Sequence, residues 1–255
     1  TSLFQAHQLV TGDYKPKHIA VMQPIHKRIR VVVAEETIAD STNVLIMHET
    51  NHLPVYYFPF SDVRMELMKK TEHSTHWPIR GDAQYWSIQI GDREIENALW
   101  NYALPLEGEE VVDVRDYVAF YWNKVDAWYE EDEEVFVHAR DPFTRIDCLK
   151  SSRNIKVLVS NTLVAETSRP VILFETGLPP RYYIPKQDVL QSFLLTSEKV
   201  TRCPYKGEAN YYSIKIDDVV IDDLAWFYRY PVKEALDVAN HICFPQGKVD
   251  MYVDG

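Results

Sequence analysis

The chain contains itself twice. At an offset of 126 residues, Ile29 to Pro105 meets Ile155 to Pro231 with 27 identities in 77 positions and no gap. Chance would give only a handful, so an ancestral unit was duplicated. The register slips by two later, where FYWNKVD (120–126) meets FPQGKVD (244–250). The repeat predicts a first domain over residues 28–150, a second over 151–255, and an N-terminal arm over 1–27 outside the repeat. The first copy carries an extra tail, WYEEDEEVFVHARDPFTRID (128–147). Its acidic run is expected to be a solvated edge that discourages strand pairing.

Each copy reads as mainly β. RIRVVV and NIKVLV are β-branched runs, and YWSIQIG and YYSIKID alternate with period two. VAFYWNKVDAWY and ICFPQGKVDMYV read as hairpins with short turns. Helical pattern is confined to short pieces near SDVRMELMKK, KQDVLQSFLL and VKEALDVANHI. The expectation is two similar small β-rich domains, barrels or sandwiches, each with one or two short helices.

Residues 48–52, HETNH, match the zinc-protease signature H-E-x-x-H. The second copy is the control. It reads FETGL, so Phe174 and Leu178 replace His48 and His52, while Glu175 and Thr176 keep Glu49 and Thr50. VLIM before the motif and Pro54 after it describe a strand running into a turn. Residues four apart on a strand lie about 13 Å from each other, too far for two imidazoles to share an ion at about 2 Å. A looser site, using His48 or His52 with His73 or His76, is the alternative. No metal or other cofactor is expected.

The net charge of −11 opposes phosphate-driven nucleic-acid binding and anionic membranes. No apolar run is long enough to span a bilayer and no signal-peptide pattern opens the sequence. Three cysteines, Cys148, Cys203 and Cys243, with no C-x-x-C, read as reduced thiols in a cytoplasmic protein.

FETGLPPRYYIPKQDV (174–189), TRCPYKGEANYYSI (201–214), LAWFYRYP (224–231) and AFYWNKVDAWYEEDEEVFVHARDP (119–142) resemble the family catalogued as domain of unknown function 427. That family is loosely labelled as nucleotidyltransferases. The resemblance covers both copies and implies a small β-tent fold, similar to zinc-binding Mss-type and Yippee-type domains. The CxxC pairs of those relatives are missing here. In the first copy Trp77 replaces the cysteine of CPYKG and Val55 replaces Arg181 before the tyrosine pair. Nucleotidyl transfer is a further alternative, opposed by the lack of a glycine-rich phosphate loop among only 8 glycines.

What recurs is one carboxylate, a tyrosine pair, one cation and an indole. In the first copy these are Glu49, Tyr56, Tyr57, Arg80, Tyr85 and Trp100. In the second they are Glu175, Tyr182, Tyr183, Lys206, Tyr211 and Trp226. A carboxylate walled by rings can shuttle protons near neutral pH. A cation and tyrosine hydroxyls can hold a carbonyl oxygen. His76, aligned with Arg202, adds a titratable group to the first copy. Glu49, Glu175, His76 and Lys206 are therefore the expected catalytic residues, and the tyrosines, tryptophans, Arg80 and Arg181 the expected binding residues. The expected function is cofactor-independent proton transfer on a small carbonyl or aromatic metabolite: isomerisation, cyclisation, elimination or hydrolysis. The alternative is a non-catalytic small-molecule-binding or scaffolding protein. A small-molecule ligand is the expected partner, and a homodimer is open.

Overall fold

The computed structural model describes residues 18–78, 80–103 and 113–255. It divides at Asp141/Pro142 into two units. In the first, a seven-stranded antiparallel sheet runs in the order β1 (Ala20–Pro24), β4 (Leu45–Glu49), β5 (Val55–Pro59), β9 (Tyr117–Phe120), β8 (Arg93–Asn101), β7 (Gly81–Ile90), β6 (Met68–Trp77). A second sheet runs β11 (Glu133–Glu134), β10 (Ala127–Glu130), β2 (Ile29–Val33), β3 (Glu36–Ser41). The second unit repeats the plan. Its seven-stranded sheet is β12 (Ile146–Lys150), β15 (Val171–Glu175), β16 (Arg181–Pro185), β20 (His241–Cys243), β19 (Val219–Pro231), β18 (Gly207–Ile216), β17 (Leu194–Cys203). Its small sheet is β14 (Thr162–Thr167), β13 (Ile155–Val159), β21 (Asp250–Val253). The chain is thus mainly β, in two similar tandem domains, and the sheets are open rather than closed into barrels.

Period-two alternation explains the layering. Ile29, Val31, Val33, Ile46, Phe58, Ile88 and Leu99 form the core shared by the two sheets of the first unit. Ile155, Val157, Val159, Ile184, Ile214 and Phe244 do the same in the second. Burying each such side chain contributes about 1.5–3 kcal/mol. The opposite face of each seven-stranded sheet carries a second, ring-rich cluster. In the first unit it contains Met47, Tyr57, Tyr85, Tyr102 and Ala119. In the second it contains Leu173, Tyr183, Tyr228 and Cys243, with Ala235 and Val238 of the 3₁₀ segment Lys233–Val238 packed into it.

Several expectations are corrected. The predicted hairpins at 118–129 and 242–253 are crossovers: β9 and β20 lie in the large sheets, β10 and β21 in the small ones. A 3₁₀ turn at Trp122–Lys124 breaks the first, and Pro245 to Lys248 form a turn in the second. The predicted helices near 61–70 and 186–195 are single 3₁₀ turns at Phe60–Asp62, Met65–Leu67, Lys186–Asp188 and Gln191–Phe193, each too short to propagate. The acidic run is not simply solvated. Glu130 is buried and β10 turns back onto β11, with Glu130 opposite Glu133.

The boundaries also move. Residues 20–24 of the predicted arm are strand β1, paired along β4. Residues 146–150, assigned to the end of the first domain, are strand β12, paired along β15 in the second. The repeat therefore begins earlier than Arg28, but β1 and β12 share no sequence identity, so the offset alone did not reveal it. Residues 1–17 of the arm lie outside the described residues. Among the described residues no helix is long and apolar enough to cross a membrane.

The recurring threonine of the E-T pair explains how this added strand is held. Thr50 Oγ1 accepts the Ile19 amide at 3.0 Å and donates to the Ile19 carbonyl at 3.2 Å. Thr176 makes the same two bonds to Arg145, at 2.9 and 3.4 Å. The following turn needs a positive φ, supplied by Asn51 at 63° and Gly177 at 73°. We expect Thr176→Val to cost about 1 kcal/mol in urea unfolding and to speed hydrogen exchange at the Arg145 amide. Unchanged exchange would show that the threonine does not hold the strand.

Candidate functional site

Strand β4 ends at Glu49, whose side chain lies on the ring-rich face and is buried, at 6% exposed. The hairpin between β6 and β7 delivers its partner. Its turn closes with the Arg80 amide donating to the Trp77 carbonyl at 3.1 Å, and Gly81 follows at a φ of 83°. Arg80 is thereby aimed inward at 8% exposed. Its guanidinium donates to Glu49 Oε2 through one nitrogen and to the Tyr57 hydroxyl, at 2.9 Å, through another. The guanidinium also lies 5.7 Å over the Tyr102 ring. Glu49 Oε1 accepts from Trp77 Nε1 at 3.0 Å and from His18 Nε2 at 2.7 Å. The turn after β4, closed by the His52 amide on the Glu49 carbonyl at 3.0 Å, folds His52 back beside this carboxylate. One ligand atom each of His18, Glu49 and His52 lie within 4.8 Å of one another.

A second polar group is reached across the Trp100 indole. That ring contacts Tyr57 at 6.5 Å and Tyr121 at 4.5 Å. The Tyr85 hydroxyl bonds Thr75 Oγ1 at 2.8 Å and meets the Tyr121 hydroxyl at 3.4 Å, while the His73 ring sits 4.5 Å from that of Tyr85. Burial pushes the Tyr57 hydroxyl up to about 12, against the pull of Arg80. Burial likewise raises Tyr102, and burial with the Tyr85 hydrogen bond raises Tyr121. These phenols stay protonated and remain hydrogen-bond donors through the physiological range.

The second unit rebuilds the hub with fewer parts. Lys206 Nζ donates to Glu175 Oε2 at 2.5 Å. Its turn is closed by the Lys206 amide on the Cys203 carbonyl at 3.4 Å, and Gly207 follows at a φ of 97°. A Cβ there would meet the Tyr230 carbonyl at 3.2 Å, so glycine is required. Trp226 Nε1 donates to the Tyr183 hydroxyl at 3.3 Å, and the Tyr211 hydroxyl bonds Thr201 at 2.9 Å. Burial raises Tyr183, Tyr228 and Cys243, and pushes Cys148 up to about 11. Burial thus holds Cys148 and Cys243 as neutral thiols.

Glu49, Tyr57, Arg80, Tyr85 and Trp100 are thus brought onto one face, as are Glu175, Lys206, Tyr183, Tyr211 and Trp226. Four other predicted residues fall elsewhere. Tyr56 and Tyr182 precede the site tyrosines by one residue and so face the inter-sheet cores. The Tyr56 hydroxyl donates to Glu130 at 2.5 Å, and Lys27 holds the other oxygen of that carboxylate at 2.6 Å. His76 is exposed and pairs across the hairpin with Asp82 at 2.7 Å, as Arg202 pairs with Glu208 at 3.3 Å. It therefore faces away from the site. Arg181 bonds Gln246 at 3.1 Å. His48 is buried with Nδ1 3.7 Å from the Asp141 carboxylate, and burial lowers its proton affinity. It does not join His52, as the strand argument required.

Sequence reasoning missed His18, Trp77, Tyr102 and Tyr121. Tyr102 and Tyr228 were visible as identities in the repeat. The two-residue slip takes Tyr121 out of alignment, and His18 lies beyond the recognisable repeat.

The arrangement defines a class: a tandem β protein in which each unit sets a carboxylate–cation pair, buried in the first and part-buried in the second, on a ring-lined sheet face. The chain belongs to the family described as a domain of unknown function (DUF427), which matches residues 21–131 and again residues 147–255. No curated protein matches the chain.

Removing one member of a buried pair leaves an uncompensated charge. Arg80→Met is expected to cost about 3 kcal/mol, and Glu49→Gln with Arg80→Met less than the sum of the two singles, by chemical denaturation. Additivity would show that the pair is not coupled. Tyr57 gives a pH signature. Below about pH 10 both folded and unfolded chains keep its proton. Between pH 10 and about 12 only the unfolded chain loses it, so stability falls as pH rises through that window. Tyr57→Phe should flatten that part of the fall.

Proposed function

We propose that the first unit is an active site for a small carbonyl or carboxylate compound, carrying out proton-transfer or hydrolytic chemistry without an organic cofactor. One observation carries the reading: the two units share the carboxylate–cation–ring hub, but among the described residues only the first borders it with imidazoles. Thr144, Lys199 and Leu178 stand in the second unit where His18, His73 and His52 stand in the first. The hub alone therefore satisfies the fold, and the histidines of the first unit are additions to it.

In this reading Glu49 and Arg80 form a fixed electrostatic wall, already ordered before a ligand arrives. The ring of an aromatic substrate stacks near Trp100, Tyr85 and Tyr121, and protonated tyrosine hydroxyls donate to its carbonyl oxygen. The acidic chain favours a small partner over a polyanion such as nucleic acid. The free cysteines agree with a reducing, cytoplasmic setting. A second reading, binding without turnover, is favoured by the hydrogen bonds that already occupy both oxygens of Glu49.

Deuterium exchange at the carbon beside the carbonyl, followed by NMR on a panel of aromatic and aliphatic 2-oxo acids, separates the two. Enzymatic exchange that falls about a hundredfold or more in Glu49→Gln, and persists in Glu175→Gln, supports the active-site reading. Exchange slowed by neither change overturns it. Quenching of tryptophan fluorescence by the same acids without exchange would establish the binding reading instead.

A further inference from the structure

We infer that His18, Glu49 and His52 form a binding site for one divalent transition-metal ion of the zinc class, present in the first unit and absent from the second. The inference rests on the reading above in placing the reactive centre in the first unit, and it names what charges that centre. Its geometric basis is separate.

The donor set is two imidazoles and one carboxylate, with ligand atoms within 4.8 Å of one another. In a tetrahedral site with bonds of about 2.0–2.1 Å, donors stand about 3.4 Å apart. His18 and His52 are exposed, so closing the difference calls for rotation of surface side chains only, while Glu49 is held in the buried wall. His18 Nε2 now meets Glu49 Oε1 at 2.7 Å, so one proton lies between two groups that could both be ligands. A cation would take its place and release it.

The surrounding bonds point the same way. His52 Nδ1 donates to the Thr50 carbonyl at 2.9 Å, which leaves the lone pair on Nε2. A backbone carbonyl on the far nitrogen is the usual support of a metal-bound histidine. The Trp77 indole packs edge-on against the His52 ring at 5.2 Å. Glu49 is itself oriented by Trp77 Nε1 on one oxygen and Arg80 on the other. Oε1 keeps the lone pair that now faces His18. Three protein ligands would leave positions open for water or a carbonyl oxygen, the arrangement of catalytic rather than structural zinc.

The second unit is the internal control. It holds Thr144, Glu175 and Leu178 at the three places, so one donor of three survives. Leu178 also shows that the turn folds without a histidine.

The test uses the full chain, stripped with chelator and titrated with zinc ion alone by calorimetry, with cobalt ion as a spectroscopic stand-in. Expected are one equivalent of zinc per chain and a cobalt absorption band of four- or five-coordinate nitrogen and oxygen ligation. His52→Leu and His18→Thr each weaken binding by about a hundredfold or more. His76→Ala leaves it unchanged. No saturable binding, or binding that survives both His52→Leu and His18→Thr, overturns the inference. Zinc binding without any reaction on the 2-oxo acids would leave the site standing and count against the proposed function. Exchange on those acids by the zinc-free protein, with no zinc binding, would do the reverse.

Discussion

The carboxylate at the end of β4, locked to a cation at the tip of the β6–β7 hairpin, is the contact on which the ring-lined face depends. Two elements far apart in sequence meet there, Glu49 with Arg80 and Glu175 with Lys206. Taking two charges out of water is costly, and each unit offsets part of that cost differently. Arg80 spreads its donors over Glu49 and the Tyr57 hydroxyl and stacks against Tyr102. Lys206, a point charge, makes a single bond to Glu175. The planar fork does more than neutralise: it ties the pair to the ring wall and so fixes the tyrosine as well.

Around that pair the layers follow from alternation. One face of each large sheet is a packed aliphatic core and the other a wall of rings. Adjacent tyrosines, identical in type, therefore have separate tasks. Tyr57 belongs to the charged hub, and Tyr56 satisfies the buried Glu130 on the far side of the sheet. The E-T dipeptide divides its work in the same way, the glutamate facing the hub and the threonine gripping the backbone of the added edge strand.

Much of this was legible in the sequence. The duplication, the β class and the Glu–cation–ring set could all be read from identities at one offset. Trp77 in place of Cys203 flagged that the two sites differ. What was hidden has physical reasons. Tyr56 and Tyr57 are both identical to their counterparts, and identity does not say which face a side chain takes. The crossovers at 120–127 and 243–250 have hairpin-like composition, because short polar breaks between β-branched runs serve either purpose. The β2–β3 turn uses two left-handed residues, Ala34 and Glu35, whose types do not announce it. His18 escaped because it lies just before β1, where only the backbone pairing recurs; β1 and β12 share no residue at the repeat offset.

Every strand of each sheet comes from one side of the Asp141/Pro142 junction. Among the described residues no ladder is shared between the two. The two halves are therefore separable modules in the genetic sense: recombination at that junction could pair either half with a sibling without rewriting a single strand register. A change at the edge of one half then leaves the strand pairing of the other untouched, and the copies do differ there: His18 and His52 stand in one, Thr144 and Leu178 in the other.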